Sequence, residues 1–247
     1  MDVFVYDTPA RVPGDLRGLT AVVIDTLRMT SVATVALANG CAGLLAVREV
    51  DEARVIAAEQ GALLGGERGA VRIEGFDFAN SPLEYTRERV HGRRIVMTTS
   101  NGTAAIARAA GADKLFLGAM VNAGAVAGVL RDEKRVVLVC AGTLGEVTLE
   151  DTLTAGAILA RLGALGVALS MDDGARAALA AYRAARGDLH GVLKGTSHYE
   201  RLRGLGLERD LGFCLREDQV EVVPVRGADG WFGAGCINKR LAIRIIT

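Results

Sequence analysis

The chain has 247 residues, half of them apolar, enough to bury a substantial core and to exclude a disordered polymer. Its 29 Lys and Arg balance 29 Asp and Glu, so the broad basic footprint of a nucleic-acid or anionic-membrane binder is missing and a small molecule is the expected partner. Four cysteines without CxxC spacing argue against a zinc knuckle or a disulfide framework and suit a reducing cytoplasm.

In chain order, residues 1–6 form an apolar strand pattern with no basic region ahead of it, which predicts a strand of the mature protein rather than a secretory leader. Apolar runs of strand length follow at 21–24, 44–47, 95–97, 115–117 and 136–139. Alanine-rich helical patterns lie between and after them at 32–39, 51–60, 104–110, 123–130 and 149–162. This alternation predicts an α/β fold, layered, with a largely parallel or mixed sheet flanked by helices. The weakly polar stretch 155–170 is broken by Arg161 and glycines and falls short of a membrane span. A helical region over 175–204 and late strands at 220–225 and 241–246 complete the pattern. One domain over 1–247 is expected, with a smaller C-terminal α/β lobe dividing near 170 as the alternative, and a homo-oligomer is compatible with it.

Three strands end in small polar text. Residues 22–24 lead into Asp25-Thr26-Leu27-Arg28, 95–97 into Thr98-Thr99-Ser100-Asn101-Gly102-Thr103, and 137–139 into Cys140-Ala141-Gly142-Thr143. In an open parallel sheet the carboxyl ends face one crevice, so these loops are placed to offer hydroxyls and backbone N–H groups to an anion. Ser100, Asn101, Gly102 and Thr103 are the best phosphate-binding candidates, joined by Gly142 and Thr143. Ordinary turn and cap chemistry also accounts for such text. Asp25 can hold a metal or act as nucleophile, and Arg28 can pair with phosphate. The second carboxylate that a haloacid dehalogenase phosphatase requires is replaced by Leu27.

Leu64-Gly65-Gly66-Glu67-Arg68-Gly69 predicts a ligand loop, with Glu67 and Arg68 facing the site together with Asn80, while Ser81 and Pro82 start a short helix. Glu150 and Asp151, in the first turn of the 149–162 helix, complement its dipole or supply an oxygen ligand to Mg2+. Cys140 is a candidate thiolate, although most cysteines so placed fill the core. His198 is a candidate general acid.

Taken together, the Asp-x-Leu-Arg, Gly-Gly-Glu-Arg, Asn-Ser-Pro, Thr-Thr-x-Asn-Gly-Thr, Cys-Ala-Gly-Thr and Leu-Glu-Asp elements resemble, in order and spacing, those of the 2-phosphosulfolactate phosphatase family. That resemblance covers nearly the whole chain. It implies Mg2+-dependent hydrolysis of 2-phospho-3-sulfolactate to 3-sulfolactate and phosphate, a step of coenzyme M biosynthesis. The metal is expected at Asp25 with one or more of Glu67, Glu150 and Asp151. Met29 and Tyr199 stand where the family usually has small residues, which is expected to affect substrate fit. The rivals are an isochorismatase-like cysteine hydrolase, for which a suitably placed Lys is missing, and a non-catalytic sensor of a phosphorylated or sulfonated acid.

Overall fold

A computed structural model describes residues 1–235; the expected strand at 241–246 lies outside the described residues. The apolar runs become β1 (Asp2–Tyr6), β2 (Thr20–Ile24), β3 (Gly43–Ala46), β4 (Leu63–Arg68), β5 (Val71–Arg72), β6 (Arg94–Thr98), β7 (Lys114–Gly118), β8 (Arg135–Cys140), β9 (Ser170–Met171), β10 (Val223–Arg226) and β11 (Phe232–Gly235). They join in one sheet of order β5-β4-β6-β3-β11-β10-β7-β2-β8-β1-β9. The fold is thus α/β with a mixed sheet, as the alternation predicts.

Alternation along β2 and β8 explains why both strands are apolar throughout. Val22, Ile24, Val136, Leu138 and Cys140 point to one core, whereas Ala21, Val23, Val137 and Val139 point to the other. The first core is covered by α5 (Ala123–Leu130), α6 (Leu149–Ala164) and α7 (Asp173–Ala185), through residues such as Leu130, Ile158 and Ala178. The second is filled by α1 (Met29–Ala38) and α4 (Gly102–Ala109), through Met29, Val32, Ala105 and Ile106. Leu63 of β4 and Val90 of α3 (Arg87–Val90) pack on this second core, while Ala53 and Ala57 of α2 (Val50–Gln60) form a smaller cluster with Val96.

Two parallel blocks, β4-β6-β3 and β7-β2-β8-β1-β9, are joined by the antiparallel hairpin β10-β11, which pairs with β7 through Val225 opposite Phe116 and with β3 through Phe232 opposite Leu44. Read across these pairs, the two blocks have opposite senses. Their carboxyl ends nevertheless meet, and strands of both blocks share one core with α1 and α4. The Asn101 side chain beyond β6 reaches Thr143 beyond β8 at 3.2 Å.

The region expected as helical over 175–204 is broken into α7, α8 (Leu189–Leu193) and α9 (Ser197–Gly204), followed by α10 (Glu208–Cys214). The breaks have local causes. Asp188 caps α8 by accepting from the Gly191 N–H at 2.8 Å, and Gly195 turns the chain with φ of 90°. Leu202 of α9 and Leu211 and Cys214 of α10 then close over Leu27 in a small separate core. No helix among the described residues is long and apolar enough to cross a membrane.

Candidate active site

The loops beyond β2, β4, β6 and β8 converge on a cleft roofed by α9. Asp25, Arg28, Glu67 and Asn80 line it, with Ser100, Asn101, Thr143, His198 and Arg201. The three strand ends singled out in the sequence therefore share one crevice.

Asp25 ends β2 at the start of α1, where its Oδ1 accepts from the Met29 N–H at 3.2 Å. Burial holds its carboxyl up at about 6; the nearby His198 and the Met29 N–H pull it down, and Glu67 and Glu150 push it up. Arg28, 2 % exposed, ion-pairs with Asp210 of α10, whose other oxygen accepts from Ser81 at 2.6 Å. The expected cap at Ser81 is thus replaced: Pro82–Glu84 is a 3-10 turn without a side-chain cap, and the hydroxyl serves Asp210 instead.

The glycine-rich segment at 64–69 is a strand, not a loop. Its glycines are there because a Cβ on Gly65 would lie 2.3 Å from the Tyr85 hydroxyl, and one on Gly66 would lie 2.0 Å from the Thr98 carbonyl. Strand alternation then separates the charged pair. Glu67 turns into the cleft and accepts from the Ser100 N–H at 2.7 Å and the Ala70 N–H at 2.6 Å. Arg68 turns out to the Arg48 carbonyl and the Thr98 hydroxyl, so it does not line the cleft as expected.

Other sequence candidates also move. Thr103 is buried with its hydroxyl donated to the Thr99 carbonyl, and Gly102 packs so closely that a Cβ there would lie 2.5 Å from Asp25 Oδ2. Gly142 gives its N–H to Asp151. Asp151 accepts three hydrogen bonds, from the N–H groups of Thr26 (2.9 Å) and Gly142 (3.1 Å) and from the Thr148 hydroxyl (3.0 Å). It therefore staples the β2 and β8 loops together rather than facing the cleft as a metal ligand. Burial, reinforced by Glu150 and Asp25, raises its pKa well above the usual carboxylate range. Glu150 binds His198, its Oε1 lying 2.6 Å from Nδ1, while its Oε2 is buried without a partner. The imidazole is thereby oriented with Nε2 left for the cleft.

Cys140 is fully buried among the side chains under α6, on the face of β8 away from the cleft. Burial pushes its thiol well above the ordinary range, and Asp151, Asp7 and Glu150 add to the effect. A thiolate nucleophile, and with it the isochorismatase-like reading, loses its residue. Cys140→Ala is expected to retain most of the activity of the parent and to lose about 1 kcal/mol of stability through a small cavity. Steady-state turnover and urea unfolding measure both. Met29 and Tyr199 lie off the cleft lining, Met29 packed against Gly102 and Tyr199 against His190.

Sequence reasoning missed Arg201. It sits three residues after His198 on α9, and this i, i+3 spacing was the available signal.

The oxygen-rich wall suits a hard cation. Asp25 and Glu67 are carboxylates on the cleft, and the Asn80 Oδ1 beside them is a buried acceptor without a partner. Among the described residues no three acidic, His or Cys side chains form a ready-made cage. Mg2+ ordinarily takes one or two protein carboxylates and completes its shell with water and phosphate, so this donor set fits it.

The model of a family described as 2-phosphosulpholactate phosphatase matches residues 6–228. Curated relatives named "probable 2-phosphosulfolactate phosphatase" include one from Caldanaerobacter subterraneus, 42% identical over 214 residues, covering 85% of this chain and 88% of the relative. Another, from Thermotoga maritima, is 40% identical over 205 residues, covering 83% and 88%. A third, from Symbiobacterium thermophilum, is 43% identical over 215 residues, covering 85% and 92%.

Proposed function

Because the chain belongs to the 2-phosphosulfolactate phosphatase family, we propose that it is a phosphoric monoester hydrolase that converts 2-phospho-3-sulfolactate to 3-sulfolactate and phosphate with Mg2+. The observation that carries this reading is that one cleft holds the buried Asp25 carboxylate, the Arg28 guanidinium and a His198 imidazole held by Glu150.

In this reading the phosphoryl group lies against the loop ends. Arg28, the Ser100 and Asn101 side chains and the amino end of α4 bear on its non-bridging oxygens. Water adds to phosphorus as the ester P–O bond breaks. The C2 oxygen leaves with the proton from His198 Nε2, and the proton released by water ends on phosphate. Glu150 holds Nδ1 so that the opposite nitrogen faces the leaving oxygen. Asp25, Glu67 and Asn80 would hold Mg2+. Bound there, the cation supplies charge for the transferring phosphoryl group and makes water more acidic. Membership of a coenzyme M route and a cytoplasmic setting belong to the same reading.

Phosphate release from 2-phospho-3-sulfolactate and a panel of phosphoesters tests it. Release is expected with Mg2+, is abolished by EDTA and returns on adding Mg2+. Tight binding of these acids without any release would replace the enzyme with a sensor.

A further inference from the structure

Among the described residues two arginines, Arg28 and Arg201, reach the cleft, and their electrostatic states differ. Arg28 is buried and paired with Asp210, so its charge is largely matched within the protein. Arg201 is exposed, lines the cleft, and has no ion-pair or side-chain hydrogen-bond partner among the described residues. Its neighbour on α9, Arg203, is paired with Glu200 and points elsewhere. Among the described residues the cleft thus carries one uncommitted guanidinium.

Its position on the helix is fixed. Leu202, 2 % exposed, is anchored with Leu27, Leu211 and Cys214, which sets the rotation of α9. That rotation brings His198 and Arg201, one turn apart, to the same side, where neighbouring side chains have Cβ atoms about 5–6 Å apart. The Arg201 guanidinium comes close to Gly69, just past β4, where a Cβ would lie 3.6 Å from Nη2. Arg201 therefore enters the cleft one helical turn beyond His198, beside the turn that follows β4.

We propose that Arg201 is the specificity residue for a second acidic group on the substrate, a sulfonate or carboxylate carried on the carbons next to the phosphorylated oxygen. This rests on the hydrolase reading above. If His198 meets the ester oxygen, a negative group one or two bonds further along the carbon chain falls to the next side chain on that face of α9. A planar guanidinium offers paired N–H donors that match the oxygens of either acid. Binding at an uncommitted arginine also breaks no existing ion pair. Simple phosphomonoesters have nothing to offer it.

The test compares Arg201→Ala and Arg201→Lys with the parent on 2-phospho-3-sulfolactate, 2-phospholactate and phenyl phosphate, with direct titration of 3-sulfolactate and of inorganic phosphate. Arg201→Ala is expected to lower the kcat/KM ratio of the acidic substrates over phenyl phosphate by about 10- to 100-fold, mainly through KM. It should weaken 3-sulfolactate binding by a similar factor relative to phosphate. Arg201→Lys should recover part of each loss; a fall confined to 2-phospho-3-sulfolactate assigns Arg201 to the sulfonate, and an equal fall with 2-phospholactate assigns it to the carboxylate that both carry. An unchanged ratio, whether all three substrates fall together or none does, overturns the proposal. So does a 3-sulfolactate affinity that Arg201→Ala leaves intact, or its absence in the parent. If the parent hydrolyses nothing yet binds 3-sulfolactate, the hydrolase reading fails and the titrations alone decide the role of Arg201.

Discussion

Asp25→Asn is expected to lower turnover by about 1,000-fold while making the protein more stable at neutral pH. The first effect follows from its place, since Asp25 is the buried carboxylate at the end of β2 that lines the cleft and would share the cation. The second follows from the cost of ionising it there. Burial holds the carboxyl at about 6 against an ordinary 3.8. Below pH 4 both folded and unfolded chains carry the proton and the group costs nothing. Between about 4 and 6 the folded state binds more protons than the unfolded one, so stability falls as pH rises. Above about 6 the full penalty is present, about 3 kcal/mol. Asparagine has no proton to lose and keeps an oxygen for the Met29 N–H. Urea unfolding in EDTA should therefore show the variant above the parent at pH 8 and level with it near pH 4. A variant whose stability tracks the parent across that range would remove the physical account of Asp25.

The parts of this molecule that were legible in the sequence are those set by local pattern. Continuous apolar runs such as 136–139 announced strands covered on both faces, and the polar text after them marked the loops that meet at the cleft. What stayed hidden depends on contacts between distant residues. The strand at 63–68 was masked because its glycines answer the Tyr85 hydroxyl and the Thr98 carbonyl, a close approach that no local signal reveals. The hairpin β10-β11 wedges between the two parallel blocks, and strand order is not written in either strand. Asp151 looked like a metal ligand because the three donors that occupy it come partly from residues 125 positions away. Arg201 gains its place only because α9 lies over the cleft. The Asp210 carboxylate, 182 positions from Arg28, carried no signal at all.

That last pair gives the other large effect. Arg28 and Asp210 are 2 % and 4 % exposed at their side chains, and Ser81 depends on the same carboxylate. Asp210→Ala leaves a guanidinium buried without its counter-charge, and a loss of about 3–5 kcal/mol is expected. Removing both charges removes that penalty: Arg28→Met with Asp210→Ala should recover part of the stability, because the chain neighbours Leu27 and Leu211 offer an apolar core while the Ser81 hydroxyl alone loses its acceptor. Activity should behave differently. Arg28 lines the cleft whether or not its partner matters to folding, so the double variant should fold well and hydrolyse poorly. Urea unfolding of the singles and the double, with turnover measured on each, separates the two roles. A double variant as active as the parent would show that Arg28 serves only to pin α10 to the start of α1, and that the phosphoryl group is held by the loops beyond β6 and β8 without it.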